Sequence, residues 1–159
     1  MDSLDKLDLK IIRLLLENGR ASSRELSRRL GVSVGTVEAR RKRLEDMGVI
    51  RGYTVDIDLE KLGYVFPVVI DVKVKGGFLK EVEERLASLD DVSAVYDITG
   101  EYDITVYAWF RSREDLDRFI KDLQRFEYVD RTHTKLILNI VSEGVRKGYV
   151  DKLIDGMDV

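Results

Sequence analysis

The 159-residue chain contains no cysteine, which removes disulfides, thiolate nucleophiles and cysteine-based metal sites. That absence fits a cytoplasmic setting. Histidine occurs once, at His133, so a multi-histidine metal centre is excluded. Proline also occurs once, at Pro67, and belongs at the start or edge of a strand because it has no N–H to donate. No apolar run is long enough to span a bilayer, and Met1 to Asp5 has neither the basic nor the apolar part of a secretion signal. No nucleophile–base pair and no phosphate-binding glycine loop can be found, so no catalytic residue, metal or cofactor is assigned. Gln124 is the only glutamine, and Asn18 and Asn139 the only asparagines, in a chain that is 36% charged. The same bias occurs in proteins from very hot environments.

What is present is unevenly placed. Residues 1–50 carry 11 basic and 8 acidic side chains, whereas residues 51–159 carry 16 and 22. The head is therefore positive and the body negative, the pattern of a nucleic-acid reader joined to a neutral-to-acidic partner domain. From Arg20 to Arg43 there are eight basic residues, Arg20, Arg24, Arg28, Arg29, Arg40, Arg41, Lys42 and Arg43, and only two acids, Glu25 and Glu38.

Helical spacing divides residues 1–52 into three helices. The first runs from about Leu4 to Glu17, with Leu7, Ile11, Ile12 and Leu15 inward, Asp5 and Asp8 suiting the positive helix end, and Asn18-Gly19 as the stop. Leu9, Leu14 and Leu16 widen its apolar stripe, which reads equally as a generous core or a subunit contact. The second spans about Ser23 to Leu30, capped by Ser22 with Glu25 in the box position. Gly31 ends it and Ser33 caps a third helix from Val34 to Met47, with Val37, Leu44 and Met47 inward. Gly35, Thr36, Ala39, Arg40 and Arg43 are expected to face outward. Small Gly35 and Ala39 allow close approach to a groove, Thr36 and Arg40 reach base edges, and Arg28, Arg29, Lys42 and Arg43 meet phosphates. Alternation at Val49, Tyr53, Val55 and Ile57 predicts a short wing or connecting strand, and residues 53–64 connect to the next domain.

The body alternates strand and helix patterns: a strand over Val65–Val74, a helical stripe at Leu79, Val82, Leu86 and Leu89, and strands over Val92–Ile98 and Ile104–Phe110. A helix opened by Ser112 and Asp115 follows, with Leu116, Phe119, Ile120 and Leu123 inward, then a strand over Arg131–Val141. The fold class is α+β: a winged helix-turn-helix followed by a ferredoxin-like βαββαβ domain over residues 65–141. One face of such a sheet lacks helices, and a second copy of the chain is expected to cover it. Two heads held about 34 Å apart then read half-sites of a pseudo-palindrome. Residues 142–159 form a polar tail with no role assigned.

The order Leu4-Asp5 and Asp8, Asn18-Gly19-Arg20, Glu25-Leu26, Leu30-Gly31-Val32-Ser33, Thr36-Val37, Arg40, Arg43-Leu44, Gly48-Val49-Ile50 and Gly52-Tyr53 resembles the head of the Lrp/AsnC (feast/famine) transcription regulators. In the body, Gly100-Glu101-Tyr102-Asp103 looks like that family's Gly-Asp-Tyr-Asp turn, and Thr132-His133-Thr134 like its Thr-x-Thr strand. The resemblance runs to about Val141. It implies a regulator that binds double-stranded DNA, forms dimers and higher assemblies such as octamers, and responds to an amino acid. By the same resemblance Ser33, Thr36, Arg40 and Arg43 lie at the DNA; the reading of the head itself adds Ser22, Arg28, Gly35, Ala39 and Lys42. Gly100, Glu101, Tyr102, Asp103, Thr132 and Thr134 lie at the effector, with Asp103 or Glu101 pairing its ammonium. The competing reading of the turn is an ordinary hairpin with Tyr102 in the core and Asp103 as a local cap. Arg41 departs from the family pattern, which has an apolar residue there; its stem covers core or its head meets phosphate. Val34 replaces a frequent proline. Two other functions share the architecture: a decarboxylase of haem biosynthesis, and a small-molecule sensor with a vestigial head. The basic stretch Arg40–Arg43 favours the regulator over the decarboxylase.

Overall fold

The computed structural model describes residues 3–145 and 147–157. Its elements are α1 (Lys6–Glu17), α2 (Ser23–Leu30), α3 (Val34–Asp46), a 3-10 turn (Glu60–Leu62), β1 (Phe66–Val74), α4 (Leu79–Ala87), β2 (Val92–Asp97), β3 (Ile104–Phe110), α5 (Arg113–Gln124), β4 (Val129–Leu136) and α6 (Gly148–Asp155). The chain divides into two compact units, Met1–Asp56 with Ser142–Val159, and Ile57–Val141.

Local chemistry explains where the head helices start and stop. Asp5 and Asp8 form a reciprocal capping box: the Asp5 carboxylate accepts from the Asp8 amide at 2.9 Å, and Asp8 accepts from the Asp5 amide at 3.0 Å. The Ser22 hydroxyl accepts from the Glu25 amide, and Gly31 ends α2 in the left-handed region at φ 69°. Ser27 Oγ donates to the Val32 carbonyl at 2.6 Å and closes the turn. Leu14, Ala21, Leu26 and Val37 pack into one small core, with Leu44 and Ile11 also fully buried.

The tail is not loose chain. Helix α6 packs on α1, burying Val150, with an ion pair of 2.6 Å between Arg13 and Asp151 and another of 3.5 Å between Lys147 and Glu17. That settles the wide stripe of α1 within the chain. Leu9 and Leu14 are buried, while Leu7, Ile12 and Leu15, expected innermost, are half-buried. Two further expectations fail. Met47 is exposed, because α3 ends at Asp46 and Met47 is its cap. Residues 51–58 form no strand: Val49, Tyr53, Val55 and Ile57 are exposed, and an alternating segment without a pairing strand has nothing to satisfy its amides.

In the second unit the strands lie in the order β2-β3-β1-β4, each pair antiparallel. Val68, Ile70 and Val72 stand opposite Ala108, Val106 and Ile104, and all six are buried. Val82 and Leu86 of α4 and Leu123 of α5 complete that core, and Phe119 of α5 lies 4.9 Å from Phe110 between ring centres. Strand β4 stops at Leu136, short of the expected Val141, for a reason lodged in β1. The Ile137 amide still reaches the Pro67 carbonyl at 2.9 Å, but Pro67 has no N–H to return, and β1 begins one residue earlier. The alternate face of the sheet carries Val69 and Asp71 of β1, Thr105, Tyr107 and Trp109 of β3, and His133 and Lys135 of β4.

Candidate nucleic-acid interface and the Gly100–Asp103 turn

Ser33 starts α3, and its hydroxyl accepts from the Thr36 amide at 3.0 Å while sharing a proton with the Thr36 hydroxyl at 2.8 Å. Both hydroxyls are thus held in one place at the helix entrance, as is that of Ser22 at the entrance of α2. Gly35 and Ala39 are exposed and carry nothing larger than a methyl group to hold off a groove. Lys42 is exposed and pairs with Asp46 at 3.2 Å, one turn along. Arg28 is exposed and has no ion-pair partner among the described residues, and the same holds for Arg24 one turn earlier on α2. Arg24 was not singled out from the sequence; its spacing of four from Arg28 was the available signal.

Arg40 and Arg43 do not stand free as the sequence suggested. Arg40 Nη1 pairs with Asp5 and lies 3.2 Å from Asp8; Arg43 Nη1 donates to Asp8 at 2.7 Å, and its Nη2 donates to the Ser3 carbonyl at 3.3 Å. Asp8 is fully buried. The two arginines are a third exposed and spend their charge on α1, so their first task is to fix the third helix against the first. The Arg40 guanidinium is held above its ordinary value by the bonds to Asp5 and then Asp8.

Arg41, the departure from the family pattern, is half-buried, and its guanidinium is held by protein groups. Its Nε and Nη2 donate to the Tyr53 hydroxyl at 3.3 and 3.1 Å, and its Nη1 reaches Ser23 Oγ at 3.5 Å. Tyr53 in turn donates to Glu45 at 2.8 Å. Partial burial, reinforced by the bond to Glu45, raises the Tyr53 hydroxyl pKa.

The turn at Gly100–Asp103 divides its work. Gly100 has φ +129°, a conformation favouring glycine. Asp103 is committed to the fold: its carboxylate accepts from the Val74 amide at 2.8 Å and from Lys73 Nζ at 2.9 Å, where the β1–β4 register shifts. Glu101 pairs with Arg131 at 2.8 Å, with the two side chains 67% and 54% exposed. Tyr102 lies beside His133, 6.1 Å between ring centres, and under the Arg131 guanidinium. Thr132 and Thr134 are not in this group. Their register partners are the buried Val72 and Ile70, so they share the helix-bearing face, and Thr132 receives a bond from Gln124 of α5 at 3.4 Å.

The bonds from Val74 and then Lys73 lower the Asp103 carboxyl pKa. A carboxyl lowered in the folded state contributes stability above its unfolded value and loses it as pH falls through the folded one. Urea midpoints are expected to hold level down to about pH 4 and decline below it, with a shallower decline in Asp103→Asn. An unchanged slope in that variant would show that this carboxyl titrates alike in both states.

Comparison with known proteins follows the same division. Residues 4–51 match a winged helix-turn-helix DNA-binding domain and residues 67–146 match the Lrp/AsnC ligand binding domain. An HTH-type transcriptional regulator of Pyrococcus furiosus, itself uncharacterised, is 48% identical over 143 residues, 90% of this chain and 97% of its own.

The chain belongs to the Lrp/AsnC family.

It is a DNA-binding transcriptional regulator with a ligand-binding domain. The fold agrees with that of Escherichia coli AsnC, at a TM-score of 0.85 and 28% identity over 91% of this chain and 99% of AsnC. It also agrees with a Neisseria meningitidis transcriptional regulator crystallised with L-methionine, at a TM-score of 0.83 and 28% identity over 89% and 94% of the two chains. The match to the Lrp/AsnC ligand binding domain ends at residue 146, and α6 lies beyond it. No helix among the described residues is long and apolar enough to cross a membrane.

Proposed function

We propose that this Lrp/AsnC protein reads duplex DNA sequence-specifically as a homodimer, through the amino-terminal half of α3, and that an amino acid modulates its assembly or affinity. The observation carrying the DNA reading is the exposed small-residue surface at Gly35 and Ala39 of α3, together with exposed Arg24 and Arg28 of α2, which have no ion-pair partner among the described residues. Thr36 and the Ser33 hydroxyl supply polar contacts there. Arg24 and Arg28 bind phosphates, and Lys42 joins them once it leaves Asp46. The glycine at 35 has room for a methyl group, its nearest neighbour being Ser33 Oγ at 3.9 Å. Gly35→Ala should therefore stabilise the helix by up to about 1 kcal/mol while weakening DNA binding, since the methyl meets the groove. Arg24→Ala and Arg28→Ala should each flatten the salt dependence of binding by about one unit without changing the selected sequence. Thermal melts of Gly35→Ala, binding titrations of each variant over a range of salt, and sequencing of DNA selected from random pools check all three. Failure of the wild type to enrich any sequence would reject the reading.

The dimer face is the side of the sheet without helices, where Tyr96 and Tyr107 are exposed and pack edge to face at 5.9 Å. Further assembly, to an octamer as in the family, would appear in light scattering. The effector reading draws on the L-methionine bound to the Neisseria relative. With Asp103 occupied, Glu101 and Arg131 are the pair whose opposite charges an amino acid's ammonium and carboxylate can replace, beside the Gly100 amide. Calorimetry with the common amino acids should give one binder, whose affinity drops about tenfold or more in Glu101→Gln on loss of a charge-assisted bond. Zero heat with every amino acid would defeat the effector reading and leave the DNA reading standing.

A further inference from the structure

We propose that the groove between α4 and α5 binds a short apolar peptide with both ends free, at a site separate from the Gly100–Asp103 turn. The cavity there has a volume of about 760 Å³. Its apolar wall is Val82 of α4, Leu89 just beyond it, Phe119 and Leu123 of α5, and Phe126 of the loop that follows. Val82 and Leu123 are buried, whereas Leu89, Phe119 and Phe126 are half-buried and keep apolar surface for a ligand. The loop that carries Phe126 is pinned to the end of β1. The Lys75 amide donates to the Tyr128 carbonyl at 2.9 Å and Lys75 Nζ to the Glu127 carbonyl at 2.7 Å, while the Phe78 and Tyr128 rings stack with their centres 3.9 Å apart. A ligand therefore meets a formed surface and spends little on ordering it. The groove lies on the helix-bearing face, across the sheet from Arg131 and His133.

Charge at the groove decides what fits. Glu81 and Arg85 stand one turn apart on α4, the spacing at which opposite charges pair, as Lys80 and Glu84 do on the same helix at 3.8 Å. Glu81 and Arg85 do not pair. The Arg85 guanidinium lies over Phe126, 4.1 Å from its ring centre, with no carboxylate partner among the described residues, and Glu81 has no cation partner among them. The ring covers one face of the guanidinium and leaves its N–H edge for a carboxylate, which a guanidinium binds in bidentate fashion. Glu81 and the likewise unpaired Glu127 carboxylate suit an ammonium. Asp122 and Arg125, also at the groove, neutralise one another at 3.2 Å. The ligand thus has an ammonium, a carboxylate and an apolar body. A cavity of this volume takes a ligand of drug-like bulk, and a single amino acid leaves much of it empty. A segment of a folded protein brings at most one free end. Two or three apolar residues with both termini free meet volume and charge together.

The test is calorimetry on the full chain with the dipeptides of leucine and phenylalanine, their N-acetylated and C-amidated forms, and the two free amino acids. At least one dipeptide should bind, at least tenfold more tightly than either free amino acid binds this groove. Its affinity should fall at least tenfold in Arg85→Gln and in Glu81→Gln, and by as much when either end is blocked. Both positions are exposed, so neither change disturbs the core, and thermal melts check that. Glu101→Gln should leave peptide binding unchanged. No heat with any of the dipeptides overturns the proposal, as does full affinity in either groove variant or for either blocked form. Peptide binding that survives both groove variants and is lost in Glu101→Gln also overturns it, and moves the peptide to the effector turn. Amino-acid heats that depend on Glu101, with none from peptides, reject the groove alone. Peptide heats that depend on Glu81 and Arg85, with none from amino acids, support the groove and reject the effector reading alone.

Discussion

Replacing Asp8 by alanine should destabilise the head by about 3 kcal/mol, lowering the melting point by roughly 6–12 °C for a chain of this size. Asp8 is fully buried and accepts from Arg40, Arg43 and the Asp5 amide. Removing the buried carboxylate leaves Arg43 without its counter-charge and Arg40 with Asp5 alone, and opens a void; breaking a buried pair commonly costs about 3–5 kcal/mol. The two arginines keep a third of their surface in water and can turn outward, which puts the cost at the lower end. Arg40→Ala and Arg43→Ala leave Asp8 with one guanidinium and should cost less, about 1–2 kcal/mol each. If all three changes leave the denaturation midpoint unmoved while DNA affinity drops for the arginine variants, the pairing is secondary and the arginines belong to the interface. In the expected case affinity follows the fraction of folded head. Asp8→Ala, whose side chain is buried away from any ligand, then loses more binding than either arginine variant.

The capping residues could be read from sequence because a cap needs only neighbours. Ser22 with Glu25, Ser33 with Thr36, and Ser112 with Asp115 are contacts three residues apart. The buried side of the sheet was equally legible, since Val68, Ile70, Val72 and Val74 alternate and the alternation fixes a face. The ion cluster was not. Asp8 looked like an acid suited to a helix start, and its partners lie 32 and 35 residues away, at an angle between helices that no local pattern encodes. Alternation misled at Val49–Ile57, because it describes one strand and is silent about whether this chain supplies another. At the effector turn the identities of Glu101, Tyr102 and Asp103 were visible but their division of labour was not. Only the register, with Thr132 opposite Val72, separates the threonines from the side of His133 and Arg131. The place of Asp103 likewise depends on the Val74 amide, which lies past the last β1–β3 pair, Val72 with Ile104, and so is left for a side chain.

Truncation after Val141 should cost the head about 2–4 kcal/mol while leaving the second unit's stability unchanged. Helix α6 lies on α1, and that packing buries Val150. Losing apolar cover equal to about one large buried side chain forfeits about 1.5–3 kcal/mol. The Arg13–Asp151 and Lys147–Glu17 pairs are more than one-third exposed on at least one side and add little, so charge-neutral substitution of Asp151 should cost well under 1 kcal/mol. Val150→Ala, which keeps the helix and the pairs but removes apolar contact, should fall between the two. That ordering separates apolar cover from ion pairing as what holds α6 down. An intact head after truncation would instead mean that α1 tolerates an open apolar stripe. Its width would then have to be explained by a partner, the reading that competes with a generous core at the level of sequence.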